Sequence, residues 1–149
     1  MGSFNKELLL IPIKGYQWKL GEELEYTSDS GVKVTVPKGF LFDGASIPRG
    51  LWNILRVGGV QLYGACVHDY CYRTHVVDKK IADDLFLEAM RDKGISSLKA
   101  NIMYKAVDWF GSGSYKRAGL RGVLEAEALG HLEETEAIRS QGEKQDGLE

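Results

Sequence analysis

The sequence contains only two cysteines and three prolines in 149 residues. So few cysteines exclude a disulfide-rich scaffold, and a chain of this length buries enough apolar surface to fold without covalent cross-links. Cys66 and Cys71 lie five positions apart in a segment with helical character, which places their Cα atoms about 8 Å apart. A disulfide does not span that distance. We therefore expect two reduced, half-buried thiols.

Long apolar runs and an excess of one charge are also missing. The longest early apolar stretch, Leu8 to Ile13, is too short to cross a bilayer and has no signal-peptide cleavage pattern after it. Lys6 stands where a myristoylation motif requires Ser or Thr. The net charge of -2 argues against a nucleic-acid binder. The sequence therefore predicts a soluble, cytoplasmic protein without a membrane anchor or a nucleic-acid partner.

The first third of the chain has the alternation of a half-buried antiparallel sheet. Turn residues separate three segments in which apolar and polar residues alternate, and a fourth short strand follows them. The predicted strands are residues 16–20, 23–26, 32–36 and 40–42. A loop from Asp43 to Pro48 comes next, in which Asp43-Gly44 favours a tight turn over a metal ligand.

From residue 51 onwards, apolar residues recur at helical spacing. The predicted helices run from about residue 61 to 75, from Asp78 to Gly94, and from Ser96 or Ser97 to Gly111. The expected core face of the third helix consists of Leu98, Ile102, Ala106 and Phe110. The fold class is therefore α+β, a small N-terminal antiparallel sheet followed by three to four helices.

The end of the chain differs in composition from the rest. Residues 111–122 are glycine-rich and basic and favour a loop, whereas residues 123–139 are acidic and helix-forming with a narrow apolar stripe. An isolated helix of this length is marginal in water, so the segment should dock on its own domain or bind another subunit. We expect one α+β domain at residues 1–115 and a tail at 116–149 that ends in disorder.

Residues with catalytic character lie in the first two predicted helices. On a helix, His68 and Tyr72 are i,i+4 neighbours and Asp69 and Tyr72 are i,i+3 neighbours, so their side chains emerge close together. Asp83 falls at the border of the apolar stripe of the second helix, whereas Asp84 faces water. A short connection makes the two helices antiparallel neighbours. His68, Asp69, Tyr72 and Asp83 are therefore expected to converge on one seam.

Such a convergence is typical of a hydrolytic site. A neutral imidazole whose second nitrogen is fixed by a carboxylate can act as a general base, and a further carboxylate can hold a hard cation. The structural alternative makes His68 a core histidine bonded to a backbone carbonyl and Asp69 a surface acid. A serine hydrolase is disfavoured because Ser46 lies in no Gly-x-Ser-x-Gly elbow. Zinc is disfavoured because His68 and His75 lie about 10 Å apart.

The segment Val67 to Tyr72 resembles the catalytic helix of the phospholipase A-two superfamily, whose signature is His-Asp-x-x-Tyr, often with a Cys before the Tyr. The segment Ala82 to Phe86 resembles the Ala-Asp-x-x-Phe helix of the parvovirus capsid version. The resemblance covers about residues 65–90. Both segments carry the residues expected at the seam.

This resemblance implies a role for each residue of the seam. His68 would activate a water, Asp69 would bind calcium, and Asp83 would orient the histidine and form a hydrogen bond with Tyr72. Those enzymes also hold calcium with a Tyr-x-Gly-x-Gly type loop, which this chain lacks. The loop at Asp43 and residues 57–59 are its only stand-ins.

A longer resemblance is to a family of small phage and prophage proteins catalogued as a domain of unknown function. It covers roughly residues 16 to 115 and implies a viral or prophage setting without supplying a reaction. The matching segments are Val36 to Phe40, Phe42 to Arg49, His68 to Tyr72, Ala82 to Phe86 and Ala106 to Gly111.

Two hypotheses of different classes follow. The first is a phage or prophage hydrolase of ester bonds, of phospholipid type, with His68 as the base, Asp83 and Tyr72 as its partners and Asp69 as a calcium ligand. The second is a virion or tail component, or another phage interaction protein, that keeps the same network structurally and binds phage proteins or itself through residues 123–139. Either protein would be made in the cytoplasm of a bacterial host, the second with incorporation into a phage particle. A cell-wall hydrolase has no motif to support it.

Overall fold

The computed structural model describes residues 1–15, 17–42, 50, 59–113 and 115–117, and in these ranges two small antiparallel sheets precede three helices. The strands are β1 (Ser3–Phe4), β2 (Leu10–Pro12), β3 (Trp18–Leu20), β4 (Leu24–Thr27), β5 (Lys33–Val36) and β6 (Leu41–Phe42). The helices are α1 (Gln61–Thr74), α2 (Lys79–Asp92) and α3 (residues 97–113). The predicted α+β class is confirmed.

The sheets have the strand orders β1–β4–β5 and β2–β3–β6, with antiparallel neighbours throughout. In the β4–β5 hairpin, Leu24 lies opposite Val36 and Tyr26 lies opposite Val34, and all four side chains are buried on one face. This is the alternation that predicted both strands. β1 and β2 were not predicted, because they are two or three residues long and β2 is largely exposed.

The first two helices agree with their prediction within a residue or two. α1 ends at His75, which adopts a left-handed backbone with φ 51°, and α2 begins directly after Asp78. Asp78 has the extended backbone of an N-cap, but its side chain makes no cap hydrogen bond. Gly94, with φ 86°, follows α2 as the predicted stop because its left-handed backbone disfavours other residues. The two helices pack directly on each other.

The predicted core face of α3 is wrong. Leu98, Ile102 and Phe110 are exposed, and only Ala106 of the predicted stripe is buried. The face that packs inward consists instead of Ala100, Met103, Ala106, Val107 and Gly111. Small residues on this face let the backbone of α3 approach its neighbours closely. The larger apolar residues also recur at helical spacing, so they were predicted as the core face instead.

Gly111 also does not end α3, as the sequence suggested. The helix continues to residue 113, and residues 115–117 are helical as well, so the predicted loop at 111–122 is wrong for these positions. A side chain at Gly111 would collide with Tyr72 of α1. The glycine is therefore required for close packing rather than for helix termination.

Both thiols are free, and they are fully buried rather than half-buried. Burial raises the pKa of Cys71 to about 12 and raises that of Cys66 above its usual range. Among the described residues, no helix has the length and apolar character needed to cross a membrane. The predicted loop from Asp43 to Pro48 and the segment at 123–139 lie outside the described residues.

Candidate functional site

The candidate site lies between the middle of α1 and the first half of α2. His68 and Tyr72 are one turn apart on α1, and their ring centroids are 4.0 Å apart. Asp83 projects from α2 beside Phe86, whose ring centroid lies 4.8 Å from that of His68. The exposed fraction of His68 is 0% and that of Asp83 is 1%. The polar side chains that helical periodicity predicted at the seam therefore lie in the core.

The carboxylate of Asp83 is the centre of the hydrogen-bond network. Its Oδ1 accepts a hydrogen bond from the Tyr72 hydroxyl at 2.6 Å and lies 2.8 Å from Nε2 of His68. Its Oδ2 accepts a hydrogen bond from Nζ of Lys79 at 2.6 Å. An ionised carboxylate only accepts hydrogen bonds, so Nε2 of His68 carries the proton. The hydrogen bonds of Asp83 therefore fix the tautomer of the histidine.

The other ring nitrogen of His68 is in a different situation. Nδ1 is buried and has no hydrogen-bond partner among the described residues. It lies 3.9 Å from Oδ1 of Asp69, which is beyond hydrogen-bonding distance. In the neutral ring with its proton on Nε2, Nδ1 keeps a lone pair that can accept a proton. Of the structural alternative, His68 is indeed a core residue, but Nε2 pairs with Asp83 and Nδ1 has no backbone carbonyl partner in the described part of the chain. Asp69 is buried rather than a surface acid.

The surrounding charges shift the pKa values of the network. Burial disfavours the imidazolium of His68, but favourable interactions with Asp69 and Asp83 outweigh it, so the pKa of His68 is raised. Burial likewise disfavours the carboxylate of Asp83, but hydrogen bonds from His68, Lys79 and Tyr72 outweigh it, so the pKa of Asp83 is lowered. Burial and the neighbouring Asp83 raise the pKa of Tyr72, which therefore stays a hydroxyl donor. Asp83 is thus an anion across the ordinary pH range.

Asp69 lies next to His68 and is almost fully buried. The resemblance implies calcium at this residue, but no three His, Cys, Asp or Glu side chains in the described ranges form a group that could hold a metal ion. Asp43, the other candidate ligand, lies outside those ranges. Calcium binding at Asp69 therefore stays a prediction.

Lys79 belongs to the network although the sequence analysis did not select it. Besides Asp83, its Nζ contacts the main-chain carbonyl oxygens of Val107 at 3.4 Å and Asp108 at 3.3 Å in α3. The lysine therefore connects α3 to the site. Its i,i+4 spacing to Asp83 did not single it out, because Lys80 and Asp84 have the same spacing on the exposed face.

Gly111 is the second contributor that the sequence analysis did not select. A Cβ atom built on it would overlap the Tyr72 hydroxyl and lie 3.3 Å from two carbons of the same ring. The backbone of α3 therefore presses against Tyr72 and forms a third side of the site. No local sequence signal distinguishes this glycine from a helix stop, because both uses place a glycine after an apolar run.

His75 is not part of the site. Its ring stacks on Tyr115 with the centroids 3.8 Å apart, and its Nε2 lies 2.8 Å from the main-chain oxygen of the same residue. This contact holds residues 115–117 against the end of α1.

The chain belongs to the family described as Protein of unknown function (DUF1353), whose model matches residues 18–107. The uncharacterized protein y4jT of Sinorhizobium fredii (strain NBRC 101917 / NGR234) is 32% identical over 96 residues, which are 63% of this chain and 29% of that protein. The chain thus spans less than a third of this relative's length. No solved structure matches the chain significantly. The predicted membership in a family of unknown function is confirmed, and the family description names no reaction.

Proposed function

We propose that the protein is a hydrolase of ester bonds in which His68 is the general base and Asp83 orients it. One observation carries the proposal. The ring of His68 is held at Nε2 by a buried carboxylate 2.8 Å away, while its buried Nδ1 has no hydrogen-bond partner among the described residues. A base that is fixed at one nitrogen and available at the other is the arrangement that general-base catalysis requires.

The reaction follows from this geometry. Nδ1 removes a proton from a water molecule while the water oxygen attacks the carbonyl carbon of the ester. The resulting imidazolium is stabilised by Asp83 and then gives the proton to the leaving alcohol oxygen as the ester C–O bond breaks. The products are a carboxylic acid and an alcohol, and His68 returns to its neutral form.

Substrate must reach a histidine whose exposed fraction is 0%. A water and an ester carbonyl can approach Nδ1 only if a segment next to the seam moves on binding, as active-site loops do in many enzymes. The substrate class that we propose is phospholipid, because residues 67–72 and 82–86 resemble the phospholipase A-two helix pair. We also propose a phage or prophage origin, because residues 16 to 115 resemble the family of small phage and prophage proteins.

Paired variants test the dyad directly. His68→Gln and Asp83→Asn should each lower the hydrolysis of phospholipid vesicles and of a soluble short-chain ester by at least about 100-fold, the usual contribution of a positioned base. Asp84→Asn is the matched control, since Asp84 is the next residue of α2 but is half exposed and pairs with Lys80. It should keep wild-type activity. Wild-type protein that hydrolyses neither ester, or an active His68→Gln variant, would refute the proposal.

A second function is favoured by a separate observation. Four large apolar side chains on α3 are exposed, namely Leu98, Ile102, Trp109 and Phe110. Soluble monomers seldom expose a contiguous patch of this kind unless it binds something. The exposed Lys105 lies on the same helix, so we propose that the acidic residues 123–139 of a second copy bind here if the protein is an assembly component.

The oligomeric state distinguishes this second function. For an assembly protein, Trp109→Ser and Leu98→Ser should each dissociate the oligomer seen by sedimentation velocity, whereas His68→Gln should leave it intact. A wild-type protein that is monomeric at all accessible concentrations would contradict this function.

A further inference from the structure

We propose that Lys79 is a positioning residue that keeps Asp83 ionised from its far side and thereby determines which nitrogen of His68 is the base. The inference rests on the proposed hydrolase function, and it assigns a role in that site to a residue that does not touch His68.

The ammonium group of Lys79 contacts both α2 and α3. Toward the site, Nζ donates to Oδ2 of Asp83 at 2.6 Å. Away from the site, Nζ contacts the carbonyl oxygens of Val107 and Asp108 at 3.4 and 3.3 Å, and Oδ1 of Asp108 lies 3.8 Å away. An ammonium group has three donors, so these contacts can use all of them. The lysine is therefore held between α2 and α3 rather than extended into solvent.

The adjacent lysine shows that this arrangement is not a general property of α2. Lys80 and Asp84 have the same i,i+4 spacing and a 3.0 Å ion pair, but their side chains are 77% and 50% exposed. Lys79 is only 19% exposed. Exposed pairs are screened by water and contribute little, whereas a buried pair interacts strongly. The two neighbouring pairs therefore have equal sequence spacing but different burial.

The burial of the Asp83 carboxylate explains why a cation is needed at its Oδ2 atom. A carboxylate with an exposed fraction of 1% is strongly destabilised unless it is paired and hydrogen-bonded. Without Lys79, Asp83 would keep only the hydrogen bonds with His68 and Tyr72, and we expect its carboxyl group to take up a proton. A protonated Asp83 can donate its hydroxyl hydrogen to Nε2 of His68, which moves the ring proton to Nδ1. The lone pair at Nδ1, which is the proposed base, would then be lost.

The other groups around the ring do not replace this effect. Asp69 and Tyr72 face His68 from α1, and Asp108 approaches Lys79 from α3. Tyr72 donates to Asp83 but is neutral, and Asp69 and Asp108 are acids. His68 is a cation only while its ring is protonated, so when the ring is neutral Lys79 is the one cation among these groups beside Asp83. Lys79 is therefore the positive charge on which the tautomer depends.

The test combines three variants with two readouts. Lys79→Met removes the charge, Lys79→Arg keeps it, and Lys80→Met is the matched control on the next residue. Protein labelled with ¹⁵N-histidine reports which ring nitrogen carries the proton, and His68→Gln assigns the signal of His68. At a pH high enough to keep the ring neutral, wild type, Lys79→Arg and Lys80→Met should show a protonated Nε2 and an unprotonated Nδ1. Lys79→Met should show the two assignments exchanged.

Kinetics provide the second readout. Lys79→Met should lower kcat on the order of 10- to 100-fold with an unchanged KM, which is part of the roughly 10²- to 10⁴-fold that a positioned base contributes. Lys79→Arg should recover most of the loss. If Lys79→Met does not fold, Lys79→Gln provides the same neutral comparison.

The outcomes separate the two proposals. An unchanged His68 tautomer in folded Lys79→Met or Lys79→Gln would overturn the positioning role, even if the wild-type protein hydrolyses esters. An exchanged tautomer together with a wild-type protein that hydrolyses no ester would support the positioning of His68 and overturn the hydrolase. An exchanged tautomer with a lower kcat would support both.

Discussion

The substitution Gly111→Ala adds one methyl group, which favours the helix but collides with Tyr72. Gly111 lies within helical residues of α3 and is not among the glycines with positive φ, so alanine fits its backbone. Replacing a helical glycine by alanine stabilises a helix by about 1 kcal/mol. The new Cβ atom, however, would overlap the hydroxyl of Tyr72 and lie 3.3 Å from two of its ring carbons. Tyr72 must therefore move.

The hydrogen bond of Tyr72 determines the size of the loss. Its hydroxyl donates to the buried Oδ1 of Asp83 at 2.6 Å, and moving the ring away breaks this bond. A hydrogen bond to a charged group contributes about 1.5–3 kcal/mol. Subtracting the helix gain leaves a net loss of about 0.5–2 kcal/mol in the free energy of unfolding. The hydrogen bond outweighs the helix propensity.

Urea unfolding followed by circular dichroism measures this difference. The matched control is Gly113→Ala, because its Cβ atom would meet only Arg117, at an ordinary 3.7 Å. It should be neutral or stabilising by up to about 1 kcal/mol. In a Tyr72→Phe background, which lacks the hydroxyl, Gly111→Ala should lose much less than in wild type. If Gly111→Ala is as stable as Gly113→Ala, α3 does not press on Tyr72 and the third side of the site is wrongly assigned.

Three further predictions concern pH and chain length. The raised pKa of His68 contributes stability that is fully present below about pH 6.5 and is lost as the pH rises through the pKa of the folded state. The lowered pKa of Asp83 contributes stability that is fully present above about pH 3.9 and is lost as the pH falls through the pKa of the folded state. The free energy of unfolding, measured by urea titration across pH, should therefore be highest between those limits, and His68→Gln should remove the decline on the alkaline side. The rate of ester hydrolysis should rise with pH above about 6.5, because only the neutral ring accepts a proton; a rate that falls over that range would contradict the base. In thermal unfolding, a chain ending at Arg117 should keep the wild-type melting temperature within a few degrees. A chain ending at Phe110 lacks the stack of Tyr115 on His75, so its free energy of unfolding should fall by at least about 1 kcal/mol.

The part of the site that could be predicted from the sequence depends on helical periodicity. His68 and Tyr72 are one turn apart, and the stripe of α2 turns Asp83 toward them, so a single antiparallel pair brings the three together. Asp84 was correctly placed toward solvent by the same argument. These predictions needed only the period of the helix and a short connection, and both are local properties of the chain.

The parts that could not be predicted depend on tertiary packing. The buried face of α3 is built from small side chains such as Ala100 and Gly111, while the larger Leu98 is exposed, so residue size points to the wrong face. Lys79 would ordinarily be assigned to a solvated helix surface, as Lys80 is. Only the position of α3 shows that Lys79 lies between two helices. Propensity and pattern contain no information about that position.

The energetics of the network argue that stability alone does not account for it. A buried ion pair usually stabilises a fold no better than apolar residues of the same volume. His68, Asp83 and Lys79 could therefore be replaced by packed hydrophobic residues without loss of folding energy. Nδ1 of His68 has no hydrogen-bond partner within the described ranges, and a buried polar atom without a hydrogen bond destabilises a fold by about 1–3 kcal/mol. A group that weakens the fold and is held in place by a strong network supports the proposed role of that atom as a base.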